Sequence, residues 1–95
     1  DGNNIEKICE NLYNLKNLEN LELQYNKINF ISDKIENFKK LKELDLGNNL
    51  IKEIPETIKN LKKLKVLYLC ENKINQIPKS ICELNNLKNL YLDGN

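Results

Sequence analysis

The asparagine at position 3 returns at Asn26, Asn49, Asn72 and Asn95, always 23 residues later. Seven further columns keep the same period. Leucine holds three of them: Leu18, Leu41, Leu64, Leu87; Leu21, Leu44, Leu67, Leu90; and Leu23, Leu46, Leu69, Leu92. Isoleucine holds two, Ile5, Ile28, Ile51, Ile74 and Ile8, Ile31, Ile54, Ile77. The last two are mixed but apolar: Leu12, Ile35, Ile58, Ile81 and Leu15, Phe38, Leu61, Leu84. A fixed period of this length is the mark of a stacked repeat, in which each unit buries its apolar stripe only against its neighbours.

The spacing within one period assigns the local structure. In Leu18-x-x-Leu21-x-Leu23 the last two leucines alternate with Glu22, the period of a short strand with one buried face. The asparagine three residues further on stands where the chain leaves the strand. Pointing inward, its amide can bond backbone of its own and neighbouring turns, and stacking makes Asn3, Asn26, Asn49, Asn72 and Asn95 a structural ladder. Ile-x-x-Ile brings the chain round. Pro55 and Pro78 follow the second isoleucine and suit the start of a helical turn. Ile58-x-x-Leu61 and Ile81-x-x-Leu84 keep the spacing of a short helical or 3₁₀ return. Cys9 and Ser32 stand in the proline column of the first two turns, and a looser return is expected there. The fold class is therefore α/β, a stack of turns with a parallel sheet on one side and short helical or 3₁₀ segments on the other; a right-handed curved coil is expected, with the sheet on its concave side and the helical segments on its convex side.

The run Leu64-x-x-Leu67-x-Leu69-x-x-Asn72-x-Ile74-x-x-Ile77-Pro78-x-x-Ile81-x-x-Leu84 resembles the 23-residue leucine-rich repeat of the intracellular Ras-group proteins. The resemblance extends over residues 1–95, about four repeats, and it implies a solenoid that binds other proteins. Similar repeats serve many partners, so it does not name one. The chain opens on Asp1-Gly2-Asn3 and closes on Asp93-Gly94-Asn95, the same phase of the repeat, with no polar capping segment. An uncapped excerpt of a longer array is expected, with end-to-end self-association open to it.

Composition narrows the function. The chain of 95 residues has no histidine and a net charge of +1. It has no Gly-rich phosphate loop and no metal-type cysteine spacing, so catalytic residues, cofactor and metal are all expected to be none. No apolar run approaches a membrane span. Three unpaired-looking cysteines, Cys9, Cys70 and Cys82, point to a reducing, cytoplasmic setting. Cys70 falls at an outward strand position, and Cys9 and Cys82 fall on the return side.

The positions that the repeat leaves variable carry the specificity. Four outward columns read Asn20, Glu43, Val66, Asn89; Glu22, Asp45, Tyr68, Tyr91; Gln24, Gly47, Cys70, Asp93; and Tyr25, Asn48, Glu71, Gly94. They hold five acids and no lysine, although lysine makes up 15 residues of the chain. Three of the four tyrosines are here. Glu22, Glu43, Asp45, Val66, Tyr68, Tyr91, Tyr25 and Glu71 are accordingly candidates for binding a protein with a basic or mixed surface. Crowded acids attract a cation, and tyrosine offers area and a ring face. The competing reading is that the acids keep the face soluble and tyrosine is a good strand former. Lysine collects just before each strand, at Lys16, Lys39, Lys40, Lys42, Lys62, Lys63, Lys65 and Lys88. Without arginine or interleaved aromatics this edge argues against nucleic acid and reads as a solvated flank. The first expectation is a non-enzymatic interaction scaffold. The alternative is a regulatory or targeting segment of a larger multidomain signalling enzyme whose catalytic domain lies elsewhere.

Overall fold

The computed structural model describes residues 3–95. Each period contributes one three-residue strand: β1 (Asn20–Glu22), β2 (Glu43–Asp45), β3 (Val66–Tyr68) and β4 (Asn89–Tyr91). Each strand is preceded by a five-residue 3₁₀ segment: η1 (Glu10–Asn14), η2 (Asp33–Asn37), η3 (Glu56–Asn60) and η4 (Lys79–Glu83). The strands form one parallel sheet in the order β1-β2-β3-β4, with every strand in register with its counterpart 23 residues on. Backbone pairing outruns the strands. Leu23 N–H donates to Asp45 C=O at 2.8 Å, Tyr25 N–H to Gly47 C=O at 3.0 Å and Asn26 N–H to Asn48 C=O at 3.2 Å. The 3₁₀ segments stack on the opposite side, giving a solenoid of 28 × 28 × 18 Å.

Between the two walls runs one continuous core. Leu41, Leu44 and Leu46 of the second turn and Leu64, Leu67 and Leu69 of the third are buried, with Ile28, Ile51, Ile35, Ile58 and Phe38 closing the layer. Each fully buried leucine contributes about 1.5–3 kcal/mol relative to an exposed one.

The 3₁₀ returns share one start. Pro55 and Pro78 are N-caps, with φ/ψ of −68/148° and −67/149°, and not first helical residues as the sequence suggested. An extended cap lets the carbonyl turn back, so Pro55 C=O accepts from Ile58 N–H at 3.1 Å. Where Cys9 and Ser32 stand in the proline column, η1 and η2 keep the five-residue length of η3 and η4. Cys9 adopts the same extended geometry, φ −58° and ψ 135°, and Ser32 Oγ accepts from Lys34 N–H at 3.1 Å. Preset φ is one way into the turn, and a capping hydroxyl is another.

Tyr13 lies in a column that the repeat leaves unassigned, yet it is buried. Its ring packs on Phe38 at 5.5 Å, and its hydroxyl meets backbone of Ser32. Burial, with Glu10 adding and the Ser32 bond opposing, raises its pKa above the usual phenol value.

Candidate functional site

The asparagine column sits at the junction of core and sheet. Asn49 Oδ1 accepts from Ile28 N–H at 2.9 Å, while its Nδ2 donates to Leu23 C=O and Leu46 C=O, both at 3.0 Å. Asn72 repeats this one turn on, accepting from Ile51 N–H at 3.0 Å and donating to Leu46 C=O at 2.9 Å and Leu69 C=O at 3.2 Å. Asn26 accepts from Ile5 N–H at 3.2 Å, and Asn95 accepts from Ile74 N–H at 3.0 Å. Every amide thus reaches back to the preceding turn. Asn3 is exposed, and the positions equivalent to those partners would precede residue 1. The ladder holds the strand exits at fixed spacing and so positions whatever the sheet displays.

The outer face of the sheet displays the variable columns. The row Glu22, Asp45, Tyr68 and Tyr91 runs straight across all four strands, because the register pairs each with the next. Glu22 and Tyr91 are exposed, and Asp45 and Tyr68 are half-buried. Tyr68 and Tyr91 stack face to face, with centroids 4.7 Å apart and planes 6° from parallel. Asn20, Glu43, Val66 and Asn89 form the neighbouring row, in which Glu43 and Val66 are half-buried.

Beyond the strands the outward geometry changes. Tyr25, Asn48 and Glu71 take left-handed φ values of 59°, 56° and 52°, and Gly94 one of 77°. The Gly and Asn in that column were the available sequence signal. Tyr25 is 57% exposed, and Glu71 is also exposed. The Glu71 carboxylate lies over Gly94, where a Cβ would overlap it. In the preceding column Gly47 is buried and Gln24 and Cys70 are half-buried, a floor to the face in the first three turns, while Asp93 is exposed. Asp45 turns one oxygen inward: Oδ1 accepts from Gly47 N–H at 2.9 Å.

Negative charge gathers here. Desolvation, then Tyr91, Glu43 and Asp45, push Tyr68 above the usual phenol range. Desolvation, then Asp93, with Asp45 and Glu71 adding, push the Cys70 thiol up. A raised thiol pKa means little thiolate at neutral pH, and hence little nucleophilicity. Cys9 and Cys82 are exposed free thiols on the return side.

All eight lysines of the flanking edge are exposed. Lys42 pairs with Glu19 at 2.8 Å, and that hydrogen bond holds the Glu19 carboxyl below its usual value. Phe30, 63% exposed, and Leu50, 37% exposed, lie in the loops that follow the asparagine column. Among the described residues no group of three or more His, Cys, Asp or Glu could hold a metal ion, and no helix is long and apolar enough to cross a membrane.

Comparison with known proteins agrees with this architecture. No curated protein matches the chain. Among solved structures, a leucine-rich-repeat protein of Leptospira interrogans superposes with a TM-score of 0.95 at 37% identity over 97% of this chain. An internalin of Listeria monocytogenes does so with 0.73, at 35% identity over 86% of this chain and 24% of its own. The Arabidopsis receptor kinase HAESA, solved with the peptide hormone IDA and the co-receptor SERK1, gives 0.79 at 35% identity over 86% of this chain and 14% of its own. The chain spans 24% of the Leptospira protein's length. Leucine-rich-repeat domains generally mediate protein–protein interaction and are typically non-catalytic. The leucine rich repeat family profile matches residues 1–51 and 39–95, so that with its 23-residue columns, parallel sheet and asparagine ladder the chain belongs to the leucine-rich-repeat family.

Proposed function

We propose that this chain is a protein-interaction module that takes its partner on the outer, concave face of the sheet, across Glu22, Glu43, Asp45, Val66, Tyr68 and Tyr91, with Tyr25 and Glu71 at the rim. The observation that carries this reading is the Tyr68–Tyr91 stack, with Tyr91 40% exposed, standing among carboxylates on a face without lysine. Two rings already held against each other lose little freedom on binding, and tyrosine is enriched where interfaces concentrate their energy. The carboxylates favour a partner with a basic or mixed surface. The lysine edge lies beside this face, and its exposed chains read as a solvated flank.

The test captures the partner on immobilised chain from source-cell lysate and then titrates it against three variants. Tyr91→Ala and Asp45→Asn weaken binding, and Lys63→Ala leaves it nearly unchanged. Asparagine is chosen at 45 because its side-chain oxygen still accepts from Gly47 N–H while the charge is gone. Loss of binding in Lys63→Ala alone would move the interface to the lysine edge.

A second reading has a specific support. The chain covers only 14% of a receptor kinase to which it is similar. A segment of this kind can serve as the recognition part of a larger signalling enzyme, and the flanking reading frame decides between the two.

A further inference from the structure

Resting on the sheet face as a protein-binding surface, we propose that the space between Asp45 and Tyr68 seats an arginine side chain of the partner. The ring geometry comes first. Tyr68 and Tyr91 are register partners on adjacent strands, and their 4.7 Å separation matches the spacing of about 4.8 Å between strands. With planes only 6° apart, the rings are stacked along the row, not across it. Tyr91 therefore covers one face of Tyr68. The other face is turned toward β2, where the register partner is Asp45.

Aspartate is short and tyrosine is long. The Tyr68 ring consequently rises as a wall above the Asp45 carboxylate. That carboxylate is fixed from below, since Oδ1 holds Gly47 N–H at 2.9 Å, and among the described residues Oδ2 has no protein donor. Gly47 leaves the carboxylate room: a Cβ there would stand a tight 3.3 Å from Asp45 Oδ1. Glu22, the register partner of Asp45 on β1, closes the far side with a second negative charge.

A wall, a carboxylate floor and an acidic far side fit a planar cation. A guanidinium can lie against the ring as a third layer of the tyrosine stack while its edge N–H groups reach the carboxylate. A compact ammonium satisfies the charge but not the plane. The lack of lysine on this face leaves no internal cation to occupy the seat.

The test titrates isotope-labelled full chain, at low salt, with acetyl-hexaarginine amide and with acetyl-hexalysine amide. The resonances followed are the Gly47 amide, the Asp45 side-chain carboxyl and the Tyr68 ring. The arginine peptide should shift all three saturably and bind about fivefold more tightly than the lysine peptide. Asp45→Asn and Tyr68→Leu should remove that preference, and Tyr68→Phe, which keeps the ring, should retain it. Amide dispersion reports whether each variant is folded, and Asp45→Asn carries the test if Tyr68→Leu is not. Equal affinity for the two peptides, shifts spread evenly over Glu71 and Asp93, an unchanged preference in Asp45→Asn, or no shift at all would each overturn the arginine seat. None of these outcomes touches the partner titration with Tyr91→Ala, so failure of the seat and failure of the binding face are separately visible.

Discussion

Replacing Asn72 with leucine removes a side chain that serves two turns at once. The loss can be worked bond by bond. Ile51 is fully buried, and its N–H has the Asn72 Oδ1 as acceptor at 3.0 Å. Leucine leaves that donor orphaned, at about 1–3 kcal/mol. Nδ2 has two hydrogens shared among Leu46, Leu69 and Cys70 carbonyls at 2.9, 3.2 and 3.2 Å. Leu46 C=O keeps Asn49 Nδ2 at 3.0 Å, and Leu69 C=O keeps Asn95 Nδ2 at 2.8 Å, so these acceptors are weakened but not abandoned. Two net hydrogen bonds at the lower end of their usual worth bring the total to about 2–4 kcal/mol. At about 4–8 °C per kcal/mol for a domain of this size, Tm falls by about 10–30 °C. Circular-dichroism melts give the magnitude, and amide exchange at Ile51 gives the location. Asn72→Asp separates the two halves of the amide. It keeps the acceptor for Ile51 but faces negative charge to three carbonyls, so its carboxyl pKa is raised in the folded state. Stability is then present below the unfolded carboxyl pKa and is lost as pH rises through the folded one. A Tm for Asn72→Leu within about 3 °C of the parent, with unchanged Ile51 exchange, would refute the claim that the ladder bears on stability.

Tyr13 and Tyr68 have phenol pKa values raised in the folded state, so above about pH 10 the unfolded chain loses these protons first and stability falls with pH. Alkaline denaturation followed by circular dichroism should be blunted in Tyr13→Phe, and an identical pH profile would count against the buried hydroxyl. Glu71→Gly should raise stability by about 0.5–1 kcal/mol in urea unfolding, because it relieves a left-handed conformation that disfavours Cβ by slightly more than glycine's added chain entropy. A destabilised variant would show that the Glu71 carboxylate over Gly94 matters more. Leu67→Ala should cost about 2–5 kcal/mol, since the leucine is 1% exposed between two turns that cannot collapse independently. A loss below about 1 kcal/mol would mean that the core is not close-packed there. Iodoacetamide should alkylate exposed Cys9 and Cys82 well before Cys70, whose thiol pKa is raised, and mass mapping of a time course that found Cys70 first would contradict this order.

The 23-residue period determined the fold almost without help from anything else. Strands begin at Asn20, Glu43, Val66 and Asn89, and Leu44 and Leu67 face inward, because alternation about a buried leucine has only one solution in a stack of identical turns. The same alternation made the outward rows readable as lists of residues. It could not say how those residues would meet. That Tyr68 and Tyr91 stack at 6°, and that Asp45 turns an oxygen down to Gly47, depend on rotamers chosen among neighbours in space. Tyr13 shows the limit most sharply. Its column holds Tyr13, Glu36, Lys59 and Cys82, which no periodic rule marks as core. Inside, that ring meets Phe38, the one aromatic in a column otherwise of leucine, and its hydroxyl meets Ser32 backbone. Repetition fixes what every turn shares, since each shared contact is made again one period on. What differs between turns is settled by packing between unlike side chains, and that exists only once the turns are stacked.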